Sequence, residues 1–193
     1  MSVRIVLLAV LVSVARPWGG ATVRADFMLI PSGLKPGDQF RAMFVSSATR
    51  DAKSADIADY DHFIANLAAA AGLDTYFGNP VTWQALGSTA SVDAVTRLPK
   101  FVGSTPLYRL DGGLIAPSTT SLWIAGPSLP ITVTELGVDI GSAVVWSGSL
   151  QDGTAFEPLG AGAFVTFGSL PISFSTTLMT RFVPRVLPRL AGR

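Results

Sequence analysis

The chain contains no cysteine among its 193 residues. Disulfide scaffolds, zinc ribbons, thiol nucleophiles and iron–sulfur centres all need cysteine, so the sequence excludes each of them. The single histidine, His62, also excludes a histidine-rich metal centre. A core of apolar side chains must therefore hold the fold, and 49% of the residues are apolar. This length and composition predict one ordinary globular domain, and they argue against intrinsic disorder.

The formal net charge of +1 is the sum of three unequal regions. Residues 1–25 carry three arginines and residues 181–193 carry four, and neither region contains an acid. Residues 26–180 then hold seven basic residues and all 13 acids, a net charge of −6. Because recognition of phosphates needs clustered Lys and Arg, this acidic body predicts no nucleic-acid partner.

Residues 1–25 have the pattern of a secretory signal peptide. Arg4 precedes an apolar run over residues 5–12, and the small residues Val23 and Ala25 predict cleavage before residue 26, with Ala21 as a second cleavage position. The run is short of the roughly 20 apolar residues that cross a bilayer, and no other stretch reaches that length. We therefore expect a mature chain without a transmembrane segment, located outside the cell or in the cell envelope.

The first part of the mature chain predicts one strand and one amphipathic helix. Alternation over residues 39–47 indicates the strand. Apolar residues at helical spacing indicate a helix over 55–71, with Ser54 as its N-cap and Gly72 as its stop. Residues 82–86 predict a short strand or helical turn, and residues 96–106 a loop.

Short strands dominate the rest of the chain. The turn at residues 111–113 (Asp-Gly-Gly) predicts a hairpin of 107–110 with 114–116. A helical turn is expected at 121–123, and further strands are expected at 131–136, 143–148, 154–156 and 163–167. One helix followed by many short antiparallel strands and long loops predicts the α+β class.

Four blocks of sequence, in this order, resemble the endostatin domain of collagens and related exported bacterial domains, which share the C-type-lectin-like fold. The blocks are residues 40–47 (FRAMFVSS), 107–112 (LYRLDG), 122–123 (LW) and 145–149 (VWSGS) with 152–153 (DG). The resemblance implies a single C-type-lectin-like domain over residues 26–170, with residues 40–46 and 143–147 as strands and Trp146 buried.

The chain departs from those families at their functional positions. It lacks the disulfides and the N-terminal histidine zinc ligands of endostatin, and its acidic body does not match the heparin-binding arginines. Residues 157–159 (Glu-Pro-Leu) lack the amide of the calcium-dependent lectin motif. The resemblance therefore implies neither zinc binding nor calcium-bridged sugar binding.

Residues 171–193 form a basic tail that contains prolines. It is similar to a degraded Pro-Glu-Pro sorting signal of exported bacterial proteins, since the repeats at 183–185 (Val-Pro-Arg) and 187–189 (Leu-Pro-Arg) lack the acid and the apolar span. Pro184 and Pro188 would break a helix, so the expectation is a disordered tail, with weak adhesion to an anionic surface as the alternative.

Asp56 and Asp59 are the candidate metal ligands. They are three residues apart on one face of the predicted helix, so their carboxylates and nearby loop carbonyls could hold calcium. No other cofactor is expected. Solvated surface acids are the competing interpretation, because the glycine-bearing calcium loop pattern is missing.

Trp123 is the candidate ligand-binding residue. It borders a loop rich in Pro, Ser and Thr, where an exposed indole could stack on a sugar ring. The competing interpretation makes Trp83, Trp123 and Trp146 anchors of the core, because large aromatic side chains supply much of the burial in a small domain.

No catalytic set is visible in the sequence. A Gly-x-Ser-x-Gly elbow is missing, and a serine nucleophile would have to recruit His62 from a helix. The sequence therefore predicts a secreted, non-enzymatic binding or structural module of the cell surface or extracellular matrix, with a polysaccharide or other extracellular polymer as partner. The alternative is a carbohydrate-active hydrolase that uses paired carboxylates from among Glu135, Asp139 and Glu157.

Overall fold

The computed structural model describes residues 4–10, 31–35, 38–76, 79–98, 105–141, 144–162, 165 and 167–169. Within them the helices are α1 (Ile57–Ala70), α2 (Ala94–Arg97) and α3 (Thr119–Ala125). The strands are β1 (Arg4–Val10), β2 (Arg41–Val45), β3 (Thr75–Tyr76), β4 (Asn79–Pro80), β5 (Thr82–Ala85), β6 (Leu107–Arg109), β7 (Leu114–Ala116), β8 (Val144–Trp146) and β9 (Phe167–Ser169). The predicted α+β class is confirmed.

Seven of these strands form one mixed sheet. Its order is β7-β6-β2-β1-β8-β9, and β5 pairs with β1 beside that path. β2 runs parallel to β6, with Met43 opposite Arg109, so the carboxyl ends of these two strands lie at the same edge of the sheet. The predicted hairpin of β6 and β7 is confirmed by their antiparallel pairing.

β1 lies inside the sheet, although its sequence predicts the apolar part of a signal peptide. It pairs antiparallel with β2 and β5 and parallel with β8. The predicted cleavage region and the basic tail at 171–193 lie outside the described residues. Among the described residues, no helix is long and apolar enough to cross a bilayer.

The main helix, α1, begins at Ile57, two residues later than its sequence pattern predicts. Asp56, not Ser54, is the N-cap, because its carboxylate accepts a hydrogen bond from the backbone N–H of Ala58 at 2.9 Å. Ser54 instead bonds the Asp59 carboxylate at 2.6 Å. The helix ends at Ala70, and Gly72 follows with a φ of +76° that suits the predicted glycine stop.

The core has two apolar layers, one on each face of β2. Phe40, Ala42 and Phe44 belong to the layer that includes the buried face of α1. Met43 and Val45 belong to the layer that includes Leu122 and Trp123 of α3. All five residues of β2 are buried, as expected for a strand covered on both faces.

Two predictions about the core need correction. Residues 131–136 form single bridges rather than a strand, since β6 already pairs with β2 as far as Met43 and leaves only Val45 to bond Val133. Trp146 is half-buried rather than buried, although it packs against the α1 layer. Trp83 and Trp123 are core residues, as the competing interpretation predicted.

The late strand also differs from its prediction. The observed strand, Phe167–Ser169, overlaps the predicted strand 163–167 at Phe167 and continues to Ser169, and residues 163, 164 and 166 lie outside the described part of the chain. The expected strand at 154–156 is reduced to a bridge between Ser149 and Ala155.

Candidate functional site

The carboxyl ends of β2 and β6 bring polar side chains together at one edge of the sheet. Arg109 ends β6, and Asp111 follows it in the turn to β7. Thr132 and Asp139 lie on the adjacent segment, which returns beside the end of β2 through the Val133–Asp139 and Val45–Thr134 bridges. We call Arg109, Asp111, Thr132 and Asp139 the Arg109 cluster.

The guanidinium of Arg109 is held in a fixed orientation. Its Nε and Nη2 donate to the two carboxylate oxygens of Asp111 at 3.0 Å and 2.5 Å. Its Nη1 donates to the Thr132 hydroxyl at 3.2 Å and to the Pro130 carbonyl at 3.3 Å. Bidentate pairing of this kind fixes geometry as well as charge.

Asp139 completes the cluster as a second carboxylate. The backbone N–H of Gly141, which lies 2.9 Å from Oδ1, is the main cause that lowers the pKa of Asp139 below its usual value. A hydrogen bond from Thr132 and the charge of Arg109 lower this pKa further. These contacts favour the anionic form of Asp139, and the side chain nevertheless stays exposed to solvent.

Apolar side chains lie beside this polar cluster. The side chains of Arg109 and Leu129 both lie close to Gly113. A Cβ added at that glycine would be 3.1 Å from the Nε of Arg109 and 3.2 Å from the Leu129 side chain. Leu129 is 38% exposed, and the neighbouring Leu114 is 39% exposed. The edge thus presents fixed charged groups next to exposed apolar carbon.

Glu135 lies close in sequence but has a different environment. It is 2% exposed, and its carboxylate accepts hydrogen bonds from both the hydroxyl and the backbone N–H of Ser47. The backbone bond measures 2.8 Å. Glu135 therefore ties the end of β2 to the 131–135 segment and is shielded from solvent.

Glu157 belongs to neither group. Its backbone has a φ of +47°, which is unusual for a residue other than glycine, and its Oε2 is buried without a hydrogen-bond partner among the described residues. No described hydrogen bond connects Glu157 with Glu135 or Asp139. The paired carboxylates of the hydrolase alternative are thus not joined in one site by any contact that the structure describes.

The predicted calcium ligands have protein partners. Asp56 caps α1, and Asp59 accepts from Ser54 while its Oδ2 lies 3.7 Å from Arg50. A guanidinium this close to Asp59 competes with a bound cation. Among the described residues, no group of three or more His, Asp or Glu side chains could hold a metal ion.

The ligand-binding prediction for Trp123 does not fit its position. The side chain is 3% exposed, and its indole N–H donates to the Leu98 carbonyl at 2.7 Å. Gly153 packs directly against the indole ring, since a Cβ added at this glycine would lie 2.9 Å from the Trp123 ring. Trp123 therefore offers no exposed face for stacking on a sugar, and its position agrees with the competing interpretation, which made it an anchor of the core.

The Arg109 cluster was not identified as a site from the sequence, although its hairpin and Asp139 were. The Asp-Gly-Gly turn could have drawn attention to the cluster, since its first residue, Asp111, lies two positions after Arg109. Comparison of the chain with protein-family models, with curated protein sequences and with solved structures finds no match. The function is therefore inferred from this chain's own geometry.

Proposed function

We propose that this protein is a secreted, non-enzymatic binding module that holds a polysaccharide at the Arg109 cluster. The observation that carries the proposal is the fixed guanidinium of Arg109 between Thr132 and Asp111, with Asp139 nearby and the apolar Leu129 alongside. Oriented donors and acceptors bind sugar hydroxyls, while apolar carbon covers the less polar face of the ring.

The C-type-lectin-like architecture is part of this proposal. The ordered blocks of sequence that resemble this fold, the single main helix and the mixed sheet all support it. Fold alone does not decide function, so the proposed ligand comes from the cluster and not from the resemblance.

The contacts favour binding over hydrolysis. A glycosidase needs two carboxylates that flank one bond, about 5–10 Å apart. Glu135 is buried against Ser47, whereas Asp139 is exposed beside Thr132. Asp111 is engaged through both oxygens by Arg109, so it serves to orient that side chain.

The test is binding of the exported, purified chain to a panel of neutral and acidic polysaccharides by affinity electrophoresis. Asp111→Asn should weaken retention by about tenfold, because it loosens the guanidinium, and Asp74→Asn, which alters an exposed acid outside the cluster, should leave retention unchanged. Release of new reducing ends from any retained polysaccharide would support the hydrolase instead. Equal retention of both variants would overturn the proposed site.

A further inference from the structure

The Arg109 cluster has few hydrogen-bond donors left for a ligand. The Nε and Nη2 atoms of Arg109 each donate to Asp111, and its Nη1 donates both to Thr132 and to the Pro130 carbonyl. Because a guanidinium has five N–H groups, these four bonds leave one N–H, on Nη2, without a partner among the described residues. The Thr132 hydroxyl is also engaged, since it accepts from Arg109 and donates to Asp139.

The same cluster has hydrogen-bond acceptors in surplus. Asp139 accepts from the Gly141 N–H and from the Thr132 hydroxyl. Asp111 accepts two bonds from Arg109 and a third, at 3.1 Å, from the N–H of Gly113. A carboxylate offers about four lone-pair positions, so about two remain on Asp139 and about one on Asp111. Asp139 is exposed, and the Asp111 side chain is 41% exposed, so solvent reaches both carboxylates.

The cluster carries a net negative charge. It contains one guanidinium and two carboxylates, which sum to −1. Asp139 stays ionised at neutral pH, because the Gly141 N–H and the Thr132 hydroxyl lower the pKa of this carboxyl below its usual value. Residues 26–180 add no compensating excess of positive charge, since they hold seven basic residues against 13 acids.

We propose that the Arg109 cluster takes an uncharged, hydroxyl-rich polysaccharide and rejects polymers that carry carboxylate or sulfate groups. The inference rests on the proposed function, of which it names the ligand class, and it does not depend on export. A sugar hydroxyl both donates and accepts. Neighbouring hydroxyls therefore supply protons to Asp139 and Asp111 and accept the one N–H that remains on Arg109.

An acidic sugar does not match these groups. Carboxylates and sulfates have no proton to donate, and they bind best where a guanidinium offers them two parallel N–H groups. In Arg109 that pair of donors is already occupied by Asp111. The acidic group would have to displace Asp111 or lie beside two carboxylates with a single N–H as compensation, and like charges in one interface oppose binding.

Exposed apolar carbon favours a neutral ring over an amine-bearing one. Leu129 and Leu114 are 38% and 39% exposed beside the cluster. The carbon-bound hydrogens of an uncharged ring cover such side chains, which adds to the contacts of its hydroxyls. An ammonium group gains little from Asp139, because ion pairs in contact with solvent contribute little to binding.

The test compares retention of the purified chain in gels that contain dextran, hydroxyethyl cellulose or galactomannan with retention in gels that contain a carboxymethyl derivative of the same backbone. We expect at least one neutral polymer to retain the chain and its carboxymethyl derivative to bind about tenfold more weakly. Asp139→Asn should reduce this preference to about threefold or less, because it removes one negative charge. The amide still accepts from the Gly141 N–H, so the turn is kept.

Two further variants complete the test. Asp74→Asn changes the net charge by the same amount at an exposed acid outside the cluster, and it should keep the full preference. Asp111→Asn should weaken retention by the neutral polymer and strengthen retention by the carboxymethyl derivative, because it releases the paired N–H groups of Arg109. This second change decides the matter if Asp139→Asn does not fold, which circular dichroism checks.

The outcomes separate the ligand class from the site itself. Stronger retention by a carboxymethyl derivative than by its neutral polymer, still altered by Asp111→Asn, would overturn the inference and leave the proposed function standing. A diethylaminoethyl derivative that binds more strongly than its neutral polymer would do the same in favour of an amine-bearing ligand. Equal loss of preference in Asp74→Asn and Asp139→Asn would assign the preference to the charge of the whole chain and also overturn the inference. No retention of the parent chain in any gel would overturn both proposals.

Discussion

Asp61 on α1 and Arg97 on α2 form an ion pair in which the Nη2 of Arg97 lies 2.5 Å and 2.6 Å from the two carboxylate oxygens. The pair encloses one backbone position of β5. Asp61 accepts a hydrogen bond from the N–H of Ala85 at 2.7 Å, and the Nε of Arg97 donates to the carbonyl of Ala85 at 2.8 Å. Both helices are thereby fastened to the end of the same strand.

Asp61→Asn should lower the free energy of unfolding by about 2 kcal/mol, because it weakens charge-assisted hydrogen bonds to Arg97 and removes one acceptor. The Asp61 side chain is 26% exposed and that of Arg97 13%, so solvent screens the pair only in part. Urea unfolding monitored by tryptophan fluorescence measures the change. Asp74→Asn is the matched control and should stay within about 0.5 kcal/mol of the parent; equal losses in both variants would contradict a structural role for the pair.

Trp123→Ala should destabilise the fold by about 3–5 kcal/mol, because it removes a large buried side chain and leaves the Leu98 carbonyl without its indole donor. Thermal unfolding followed by circular dichroism checks this. Ile124→Ala, at the next position in α3, should be nearly neutral because Ile124 is 71% exposed. A Trp123→Ala protein that keeps its stability but loses polysaccharide binding would restore the sequence-based ligand prediction.

Local patterns in the sequence predict the helices and hairpins that are formed by residues close together in the chain. The helix α1 and the hairpin of β6 and β7 follow from helical spacing and from the turn at Asp111. The choice of Asp56 over Ser54 as cap could not be predicted, since both side chains are suitable N-caps. In the structure Asp56 accepts from the N–H of Ala58, whereas Ser54 bonds the carboxylate of Asp59.

Contacts between distant residues could not be predicted in the same way. Ser47 and Glu135 are 88 positions apart, and Asp61 and Arg97 are 36 apart. The alternation over residues 131–136 predicts a strand. Such a strand would have to pair with the edge of β2, and β6 already occupies most of that edge. The Arg109 cluster depends on that arrangement, so its site emerges only from the folded chain.

Asp139 should contribute stability that depends on pH. Its folded-state pKa is lowered, first by the Gly141 N–H and then by Thr132 and Arg109, so the folded state favours the carboxylate. The contribution is present above the unfolded pKa of about 3.9 and is lost as pH falls through the lower folded value. NMR titration of the carboxyl carbon should give a pKa below that unfolded value.

Thr132→Val tests the second of those causes. It removes the hydroxyl at nearly constant shape, so the pKa of Asp139 should rise towards its usual value while remaining below it because the Gly141 bond persists. An unchanged Asp139 pKa would show that the Thr132 hydroxyl does not support the carboxylate in solution.

Arg41→Met should increase the free energy of unfolding by about 1 kcal/mol, because it removes a buried cation whose Nη1 has no hydrogen-bond partner among the described residues. Arg41 is 7% exposed, its Nη1 has no hydrogen-bond partner among the described residues, and burial lowers the pKa of its guanidinium. Methionine keeps much of the length and flexibility of the aliphatic stem, and it suits the face of β2 that carries Met43 and Val45.

Arg50→Met is the matched control for Arg41→Met, and its effect should have the opposite sign. Arg50 lies 4.6 Å from the centre of the Tyr60 ring and 3.7 Å from the Asp59 carboxylate, so its charge is favourably placed. Its loss should lower the free energy of unfolding by up to about 1 kcal/mol in urea titrations. If Arg41→Met instead destabilises the protein more than Arg50→Met does, the Arg41 guanidinium has a partner in solution, because only a satisfied buried charge is costly to remove.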